Sequence, residues 1–504
     1  MNSLASHLPI LPVLLPLLAG IVLLALRNAP SGLQRGLALA ATLALIPLAG
    51  ALLAAAGSDG PLVYRLGDWE APFGIVLVAD RLAAWMLMVT ALVAAFALLH
   101  AFRGTDTAGR HFHVLYQLQL FGLNGAFLTG DLFNLFVFFE ILLLASYGLL
   151  LHGGGRLRVK AGLHFVVINL VGSTLFLFAV STLYGVTGTL NMADLAVKLA
   201  QTPPENLALV ETAGLLLFGV FALKAALLPL HLWLPAAYGQ TSAPVAALFA
   251  IMTKVGAYSI LRIYSLMFGA DGGPVANLLA GWLMPLALAT LAIGMLGAVA
   301  APTLRQQIAY LVVSSVGTLL AAFALASTEG IAAGLYYLPH TTLGTAAAFL
   351  LADPIVRARG AHVDRLESGP PMPGAPVLGA LFFIAAIALA GLPPLSGFLG
   401  KFMLLRAALE SPWLDWVWGV VLTAGLVGVI ALARSGSLLF YRTLSSDENL
   451  PVPRATDWLP AAALLGTLLG MTVWAGPLAR YADATAVQLL TPQTYIDAVL
   501  GPRP

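Results

Sequence analysis

The chain has no cysteine and very few charged residues. Without cysteine among its 504 residues, disulfide bonds, thiolate metal sites and cysteine nucleophiles are excluded. Charged residues make up 9% of the chain, whereas a soluble domain has about 25%. Hydrophobic residues make up 60%. These proportions exclude an ordinary soluble domain and predict an all-α integral membrane protein.

Several kinds of site are also missing from the sequence. It contains no glycine-rich nucleotide loop, no zinc-ligand spacing and no set of ligands for a redox cofactor. It has no basic cluster that would suggest nucleic acid, and its formal net charge is only +2. We therefore expect no bound cofactor, no metal site and no nucleic-acid partner.

Long apolar segments follow one another along the chain. A membrane span needs about 20 mostly apolar residues, and this measure predicts about 14 transmembrane helices. The predicted spans are 7–26, 33–56, 73–102, 111–130, 132–152, 160–186, 209–235, 241–269, 275–299, 304–327, 330–353, 375–409, 415–442 and 456–476. A short interfacial helix is expected after the last span.

Basic residues in the loops predict the orientation. If the N-terminus is outside, the cytoplasmic loops carry about twice as many lysines and arginines as the outer loops. An even number of spans then places both termini outside. The first apolar run lacks a basic start, so it is interpreted as the first span rather than a removed leader.

Lysine is scarce, and its few positions are informative. The chain has five lysines, and Lys224, Lys254 and Lys401 lie inside long apolar segments. Glu140 is placed in the same way. An ionisable group near the centre of a bilayer costs roughly 2.5–3.5 kcal/mol on insertion scales. Such residues predict a path for protons or ions.

Two of the predicted spans contain prolines. Span seven includes Pro229 and Pro235, and span twelve includes Pro393 and Pro394. Proline interrupts a helix, and within a bilayer such a break is tolerated only where protein or water meets the freed backbone groups. Paired broken helices are typical of inverted repeats. Spans 4–8 and 9–13 are the predicted repeats, although span ten has no carboxylate matching Glu140.

These repeats divide the chain into four regions. The predicted regions are the first three spans in 1–110, the first repeat in 111–270, the second repeat in 271–445, and the last span with its tail in 446–504.

Three motifs carry a family resemblance. DLFNLFVFFEILLLASY at 131–147, KAALLPLHLWLPAAY at 224–238 and GLPPLSGFLGK at 391–401 resemble the proton-translocating antiporter-like subunits. This superfamily includes large membrane subunits of respiratory complex I, of membrane-bound hydrogenases and of Mrp-type cation/proton antiporters. The resemblance extends over nearly the whole chain and is greatest to the D subunits of the Mrp antiporters.

The resemblance implies a function and partners. It implies a proton-translocating subunit of a Na+/proton antiporter in a bacterial inner membrane, with K+ or Li+ as other possible cations. The implied partners are the Mrp subunits A, B, C, E, F and G, and the chain itself is not expected to be an enzyme. The alternative is a proton-pumping subunit of complex I or a hydrogenase, in which other chains handle the electrons.

The resemblance also implies roles for individual residues. Glu140 would pair with Lys224, and Lys254 would be the central relay group. His340 would link Lys254 to Lys401, and His231 is a further candidate. The distance between a buried lysine and a carboxylate affects whether the lysine holds a proton at neutral pH, which gives such a row a plausible chemistry.

Each relay residue also has a structural interpretation. Lys224 is then a static partner of Glu140, Lys401 reaches the outer interface, and His340 bonds a backbone carbonyl. For His231, satisfying groups freed by the break is the favoured role, and Lys254 lies too deep to extend easily to the interface. Asp80 and Asp131 lie at span ends, where capping is expected. Interface anchoring is expected for most of Trp69, Trp85, Trp233, Trp413, Trp416 and Trp418.

Overall fold

The computed structural model describes residues 6–58, 60–444 and 450–501. Within this range almost all regular structure is helical. Both chain ends, for which an outside location is predicted, lie outside the described residues, and so does part of the predicted region 446–504.

The part of the chain before residue 200 that the structure describes contains seven of the labelled helices and a hairpin. In chain order they are α1 (Leu11–Ala25), α2 (Ser31–Ser58), β1 (Leu62–Arg65), β2 (Val76–Ala79), α3 (Arg81–Ala101), α4 (Phe112–Leu128), α5 (Leu132–Leu151), α6 (Arg156–Thr187) and α7 (Met192–Leu199).

The remaining helices follow the same pattern of long apolar segments. They are α8 (Leu207–Ala225), α9 (Trp233–Gln240), α10 (Ala243–Phe249), α11 (Met252–Leu266), α12 (Leu283–Ala300), α13 (Leu304–Ala324), α14 (Thr328–Ala358), α15 (Ala375–Ala390), α16 (Ser396–Ala407), α17 (Leu414–Gly436), α18 (Ala455–Val473), α19 (Ala475–Leu489) and α20 (Pro492–Leu500).

Every predicted span coincides with one helix or with a pair of helices. Among the described residues, 10 helices are long and apolar enough to cross a membrane by length and composition, and α1 and α15 are shorter apolar helices. Helices suit this sequence because a helix satisfies its own backbone groups where no water is present. The all-α membrane fold is confirmed, and the number of fourteen spans stays a prediction.

The start of the third predicted span was wrong. Residues 76–79 form β2, which pairs antiparallel with β1 in the register Leu62↔Ala79. The helix begins only at Arg81, where the Asp80 carboxylate accepts a hydrogen bond from the Ala83 backbone N–H at 2.9 Å. The apolar, β-branched run before Asp80 suits either a strand or a helix, so its hydrophobicity alone does not separate the two.

Spans seven and twelve are broken as predicted. The first break separates α8 from α9 at residues 226–232, and the second separates α15 from α16 at residues 391–395. Ala226 and Gly391, the first residues after α8 and α15, both have positive φ angles, 59° and 76°. The left-handed conformation ends each helix and turns the chain away from the helix axis.

Contacts between chain segments fall into two sets, one at each end of the helices. One set comprises the bridges Leu77↔Thr129 and Asp131↔Asn191 and the ion pair Arg262–Asp80. The other comprises Thr303↔Arg365, Gly369↔Thr443, Arg103–Asp457, Arg305–Asp364 and His100–Asp353. This separation is what helices crossing in alternating directions produce.

Helix α14 lies at the centre of the fold. It is buried along most of its length and packs against α3, α10, α13, α15, α16, α18 and α19. The segment after the last predicted span forms two helices, α19 and α20, where one interfacial helix was expected. Tyr495 of α20 is buried and its ring lies 5.3 Å from the Arg262 guanidinium, so the segment packs on the protein.

Candidate functional site

Lys224 lies in the last turn of α8, directly before the first break. The break exposes backbone groups that other residues satisfy. The Leu228 N–H donates to Thr290 Oγ1 at 2.9 Å, and the Trp233 indole N–H donates to the Leu223 carbonyl at 3.1 Å. Trp233 is therefore buried and holds α9 against the end of α8, whereas an interface anchor was expected. Trp85 is likewise buried, so the expected interface role is wrong for it as well.

Lys224 is buried among polar and aromatic groups of neighbouring helices. Its ammonium donates to Asn169 Oδ1 of α6 at 3.0 Å and lies 5.9 Å from the ring centre of Phe139. Its side chain is 6% exposed. A cation near the C-terminal end of a helix is also favoured by the helix dipole.

Glu140 of α5 also contacts α6, the helix that carries Asn169. The Ser173 hydroxyl of α6 donates to Glu140 Oε1. Among the described residues no ion pair joins Glu140 to Lys224; instead α6 supplies a partner to each, because Asn169 accepts from Lys224 and Ser173 donates to Glu140. Asn169 and Ser173 are one helical turn apart, which places them on one face.

Sequence reasoning missed Asn169 and Ser173. The signal for them is weak because polar uncharged residues in apolar helices commonly bond to their own backbone. Asn169 does this as well, since its Nδ2 donates to the Phe165 carbonyl at 2.8 Å.

Lys254 lies in the first turn of α11 and is fully buried. Its ammonium donates to Ser315 Oγ of α13 at 3.4 Å. Two residues further along, Gly256 packs against the end of α8. A Cβ at Gly256 would lie 2.4 Å from the Ala225 nitrogen and 2.8 Å from the Lys224 carbonyl carbon. This glycine lets the helix that carries Lys254 approach the backbone of Lys224.

His340 lies in the middle of α14 and contacts the second break. Its Nδ1 lies 2.9 Å from Ser396 Oγ, the hydroxyl of the first residue of α16. A Cβ at Gly397 would lie 2.6 Å from His340 Nε2. The ring therefore packs directly against the start of α16, the helix that carries Lys401.

Lys401 is half-buried and turns back toward the break. Its ammonium donates to the Ala390 carbonyl, the last residue of α15, at 2.8 Å. Gly391 leaves room for this side chain, because a Cβ there would lie 3.0 Å from Lys401 Nζ. The lysine thus caps the carbonyl end of the helix before the break.

His231 lies within the first break and is buried, with 5% exposure. Its Nδ1 has no hydrogen-bond partner within the described part of the chain. The expected hydrogen bond from this nitrogen to a backbone group freed by the break is therefore not formed. The nitrogen also forms no hydrogen bond with another described residue of the proposed relay.

The helices that carry these residues are neighbours in one continuous series. Helix α6 contacts α5 and α8, α8 contacts α11, and α13 lies between α11 and α14, which contacts α16. Each lysine donates to an acceptor without a formal charge, which leaves it free to change its proton without breaking an ion pair. In the described ranges no group of three or more histidine or acidic side chains is arranged to hold a metal.

Comparison with known proteins gives consistent matches. Residues 129–428 match the family described as NADH:quinone oxidoreductase/Mrp antiporter, TM. The chain is 43% identical to the D subunit of a probable K+/H+ antiporter of Rhizobium meliloti, over 99% of each chain. It is 37% identical to the D subunit of a Na+/H+ antiporter of Alkalihalophilus pseudofirmus, over 98% of this chain and 99% of the relative. A chain in the structure of the Mrp complex from Dietzia superposes with a TM-score of 0.85 at 31% identity, covering 99% of this chain and 100% of that one.

Proposed function

Because this chain belongs to the family of NADH:quinone oxidoreductase and Mrp antiporter membrane subunits, we propose that it is the D subunit of a Mrp-type antiporter, in which it relays protons. The observation that carries the proposal is the likeness to an antiporter D subunit over 99% of both chains. The chain is a multi-pass membrane protein that works as a transporter subunit. We propose that it catalyses no chemical reaction itself.

The proposed relay consists of Glu140, Lys224, Lys254, His340 and Lys401. Burial supports it, since Lys254 is 0% and His340 1% exposed. Asn169 accepts a hydrogen bond from Lys224 but cannot carry a proton onward. A proton on Lys224 therefore leaves toward Glu140 or Lys254, directly or through water, when the lysine side chain moves away from Asn169.

The partners and the cation belong to the proposal as well. Relatives are named as K+/H+ and Na+/H+ antiporter subunits, so the exchanged ion is Na+ or K+, with Li+ as a further candidate. The expected partners are subunits A, B, C, E, F and G of the same complex. The expected location is a bacterial inner membrane with both termini outside.

A second function is supported by the family itself, which includes membrane subunits of NADH:quinone oxidoreductase. In that case the same relay would pump protons for a redox complex such as complex I or a hydrogenase. Purification of the complex separates the two functions. Small Mrp-type subunits should accompany this chain, whereas flavin- or iron–sulfur-containing subunits would support the redox complex.

The relay is tested by removing its charges in vesicles that contain the whole complex. We expect Glu140→Ala, Lys224→Ala and Lys254→Ala each to abolish nearly all cation/proton antiport while the complex still assembles. Glu140→Ala and Lys224→Ala each remove one of the two charges at one end of the proposed row, and Lys254→Ala interrupts the row in its middle. His340→Ala should be milder, because water can occupy the space of the ring.

Surface charges provide matched controls for this experiment. Lys198 is 43% exposed and pairs with Asp194 one turn away, and Glu205 is exposed as well. Lys198→Ala and Glu205→Ala should leave antiport unchanged. Normal antiport in a fully assembled Lys224→Ala complex would show that this lysine is structural and would contradict the proposal.

A further inference from the structure

An open groove lies between α12 and α17. Its volume is about 660 Å³, and the described residues that line it are mostly apolar. Met295 and Leu296 of α12 form one wall, and α17 forms the other wall from Asp415 to Val427. None of these residues belongs to the proposed relay, so proton transfer does not account for the groove.

The groove is about as long as one leaflet of a bilayer is thick. At a helical rise of 1.5 Å per residue, the stretch of α17 from Asp415 to Val427 is roughly 18 Å long. Half of a hydrocarbon core about 30 Å thick is about 15 Å. Helix α17 continues past the groove to Gly436. A groove that ends near the middle of the membrane fits an acyl chain, whereas a transmembrane helix of a partner would lie along the whole of α17.

One end of the groove carries a carboxylate and an indole ring. Asp415 is exposed in the first turn of α17 and forms no ion pair with any described residue. Trp416 beside it is 66% exposed, and exposed tryptophan is typical of the membrane–water interface. Both a free carboxylate and the face of an indole ring attract an ammonium group. This end of the groove therefore favours a lipid head group that carries an ammonium group.

We propose that the groove binds a phospholipid with an ammonium head group, of which phosphatidylethanolamine is the simplest example. One acyl chain lies against Met295, Leu296 and Val427, and the ammonium group contacts Asp415 and Trp416. This lipid site goes beyond the proposed function and does not depend on the relay.

Photo-crosslinking of the complete complex in vesicles tests the site. The probe is phosphatidylethanolamine with a diazirine in one acyl chain, and mass spectrometry identifies the labelled residues. We expect Met295, Leu296 and Val427 to be labelled more strongly than Leu422 and Leu426, which are exposed on α17 but do not line the groove.

Gly419 allows the groove to be filled without disturbing the protein. It lines the groove, and a Cβ there would have nothing within 4 Å. We expect Gly419→Leu to lower the labelling by about tenfold, because the new side chain displaces about two methylene groups of the lipid. Gly425→Leu is the matched control, since a Cβ at Gly425 is equally free of contacts but lies outside the groove lining. Its labelling should equal that of the wild type.

Asp415→Asn tests recognition of the head group. In the wild type the phosphatidylethanolamine probe should label the groove about threefold more than the same probe with a glycerol head group, as expected for one exposed ion pair. This preference should vanish in Asp415→Asn.

Several results would overturn the proposal. Equal labelling of the groove residues and of Leu422 would show ordinary contact with bulk lipid, and equal labelling by the two probes in the wild type would exclude selection of the head group. Equal labelling of Gly419→Leu and Gly425→Leu would place the lipid elsewhere. A helix of another subunit in the groove, seen by microscopy of the wild-type complex, would also overturn it, even if a variant fails to assemble.

Discussion

The three lysines within the apolar helices donate their hydrogen bonds to three different kinds of acceptor. Lys224 bonds to an amide oxygen, Lys254 to a hydroxyl and Lys401 to a backbone carbonyl. Burying a charge is tolerated only when such partners are supplied. Because none of these acceptors is charged, each holds an ammonium group less firmly than a carboxylate would. This arrangement suits a group that gains and loses a proton repeatedly.

Among single residues, Asn169 should affect the rate of antiport nearly as much as Lys224, which it contacts. Asn169→Leu removes the amide oxygen that accepts from Lys224, and the lost charged hydrogen bond is worth about 1.5–3 kcal/mol. We expect antiport to fall by at least tenfold in vesicles while the amount of assembled complex changes little.

A threonine on the same helix serves as the control for Asn169. Thr174 is exposed, and its hydroxyl donates to the Leu170 carbonyl of its own helix. Thr174→Val should leave transport unchanged. An unchanged rate in Asn169→Leu would show that the amide has no part in setting the position of Lys224.

The charged relay residues could be predicted from the sequence because charge is so rare in it. An ammonium or carboxylate within a long apolar run has few structural explanations. Asn169, Ser173 and Ser315 could not be predicted, because serine and asparagine in a helix usually bond to their own backbone and give no sign of which neighbour they face. Only the packing of α6 and α13 brings them to the charges.

At the scale of helices, the approach of α11 to α8 depends on one missing side chain. A Cβ at Gly256 would overlap backbone atoms of Lys224 and Ala225, which cannot rotate away. We expect Gly256→Ala to separate the two helices, to destabilise the protein by roughly 1–3 kcal/mol as overpacking does, and to reduce antiport. Thermal unfolding of the purified complex measures the first effect.

Gly219 of α8 is the control that distinguishes the effect of an added Cβ on packing from its effect on helix propensity. A Cβ at Gly219 would have nothing within 4 Å. Gly219→Ala should be neutral or slightly stabilising, since alanine is favoured over glycine in a helix. Equal stability of the Gly256→Ala and Gly219→Ala complexes would contradict the close approach.

Broken helices could be predicted because proline marks them directly, whereas the hairpin could not. The run PFGIVLVAD at 72–80 is apolar and rich in β-branched residues, and its partner strand lies before it in a segment with no clear pattern. Similarly, Tyr495 of the C-terminal helix α20 packs against the Arg262 guanidinium, a contact that the sequence does not indicate. Both the hairpin and the position of the C-terminal helices depend on contacts between residues that are far apart in the sequence.

For the whole molecule, Arg262 and Asp80 connect segments that are far apart in the chain. Their oxygens and nitrogens lie 2.6 and 2.7 Å apart, and both residues are buried. Arg262→Met leaves the aspartate charge buried and unpaired, which should cost about 3–5 kcal/mol. We expect a marked drop in the unfolding temperature of the complex.

A double substitution shows whether the unpaired charge is responsible. Asp80→Asn removes the charge but keeps a side-chain oxygen that can cap α3. Adding it to Arg262→Met should recover much of the lost stability. No recovery would show that the arginine acts through packing against Tyr495 and Tyr258 instead.

The contacts at the two ends of the helices limit how the molecule can move during transport. Carriers that rock between two halves open one end as they close the other. Here the α3 segment is tied to α11 at one end by Arg262–Asp80, and to α14 and α18 at the other end by His100–Asp353 and Arg103–Asp457. A rocking motion that separated these helices would break the ion pairs in every transport cycle. We therefore expect the helices to keep their places during transport while side chains and solvent rearrange between them.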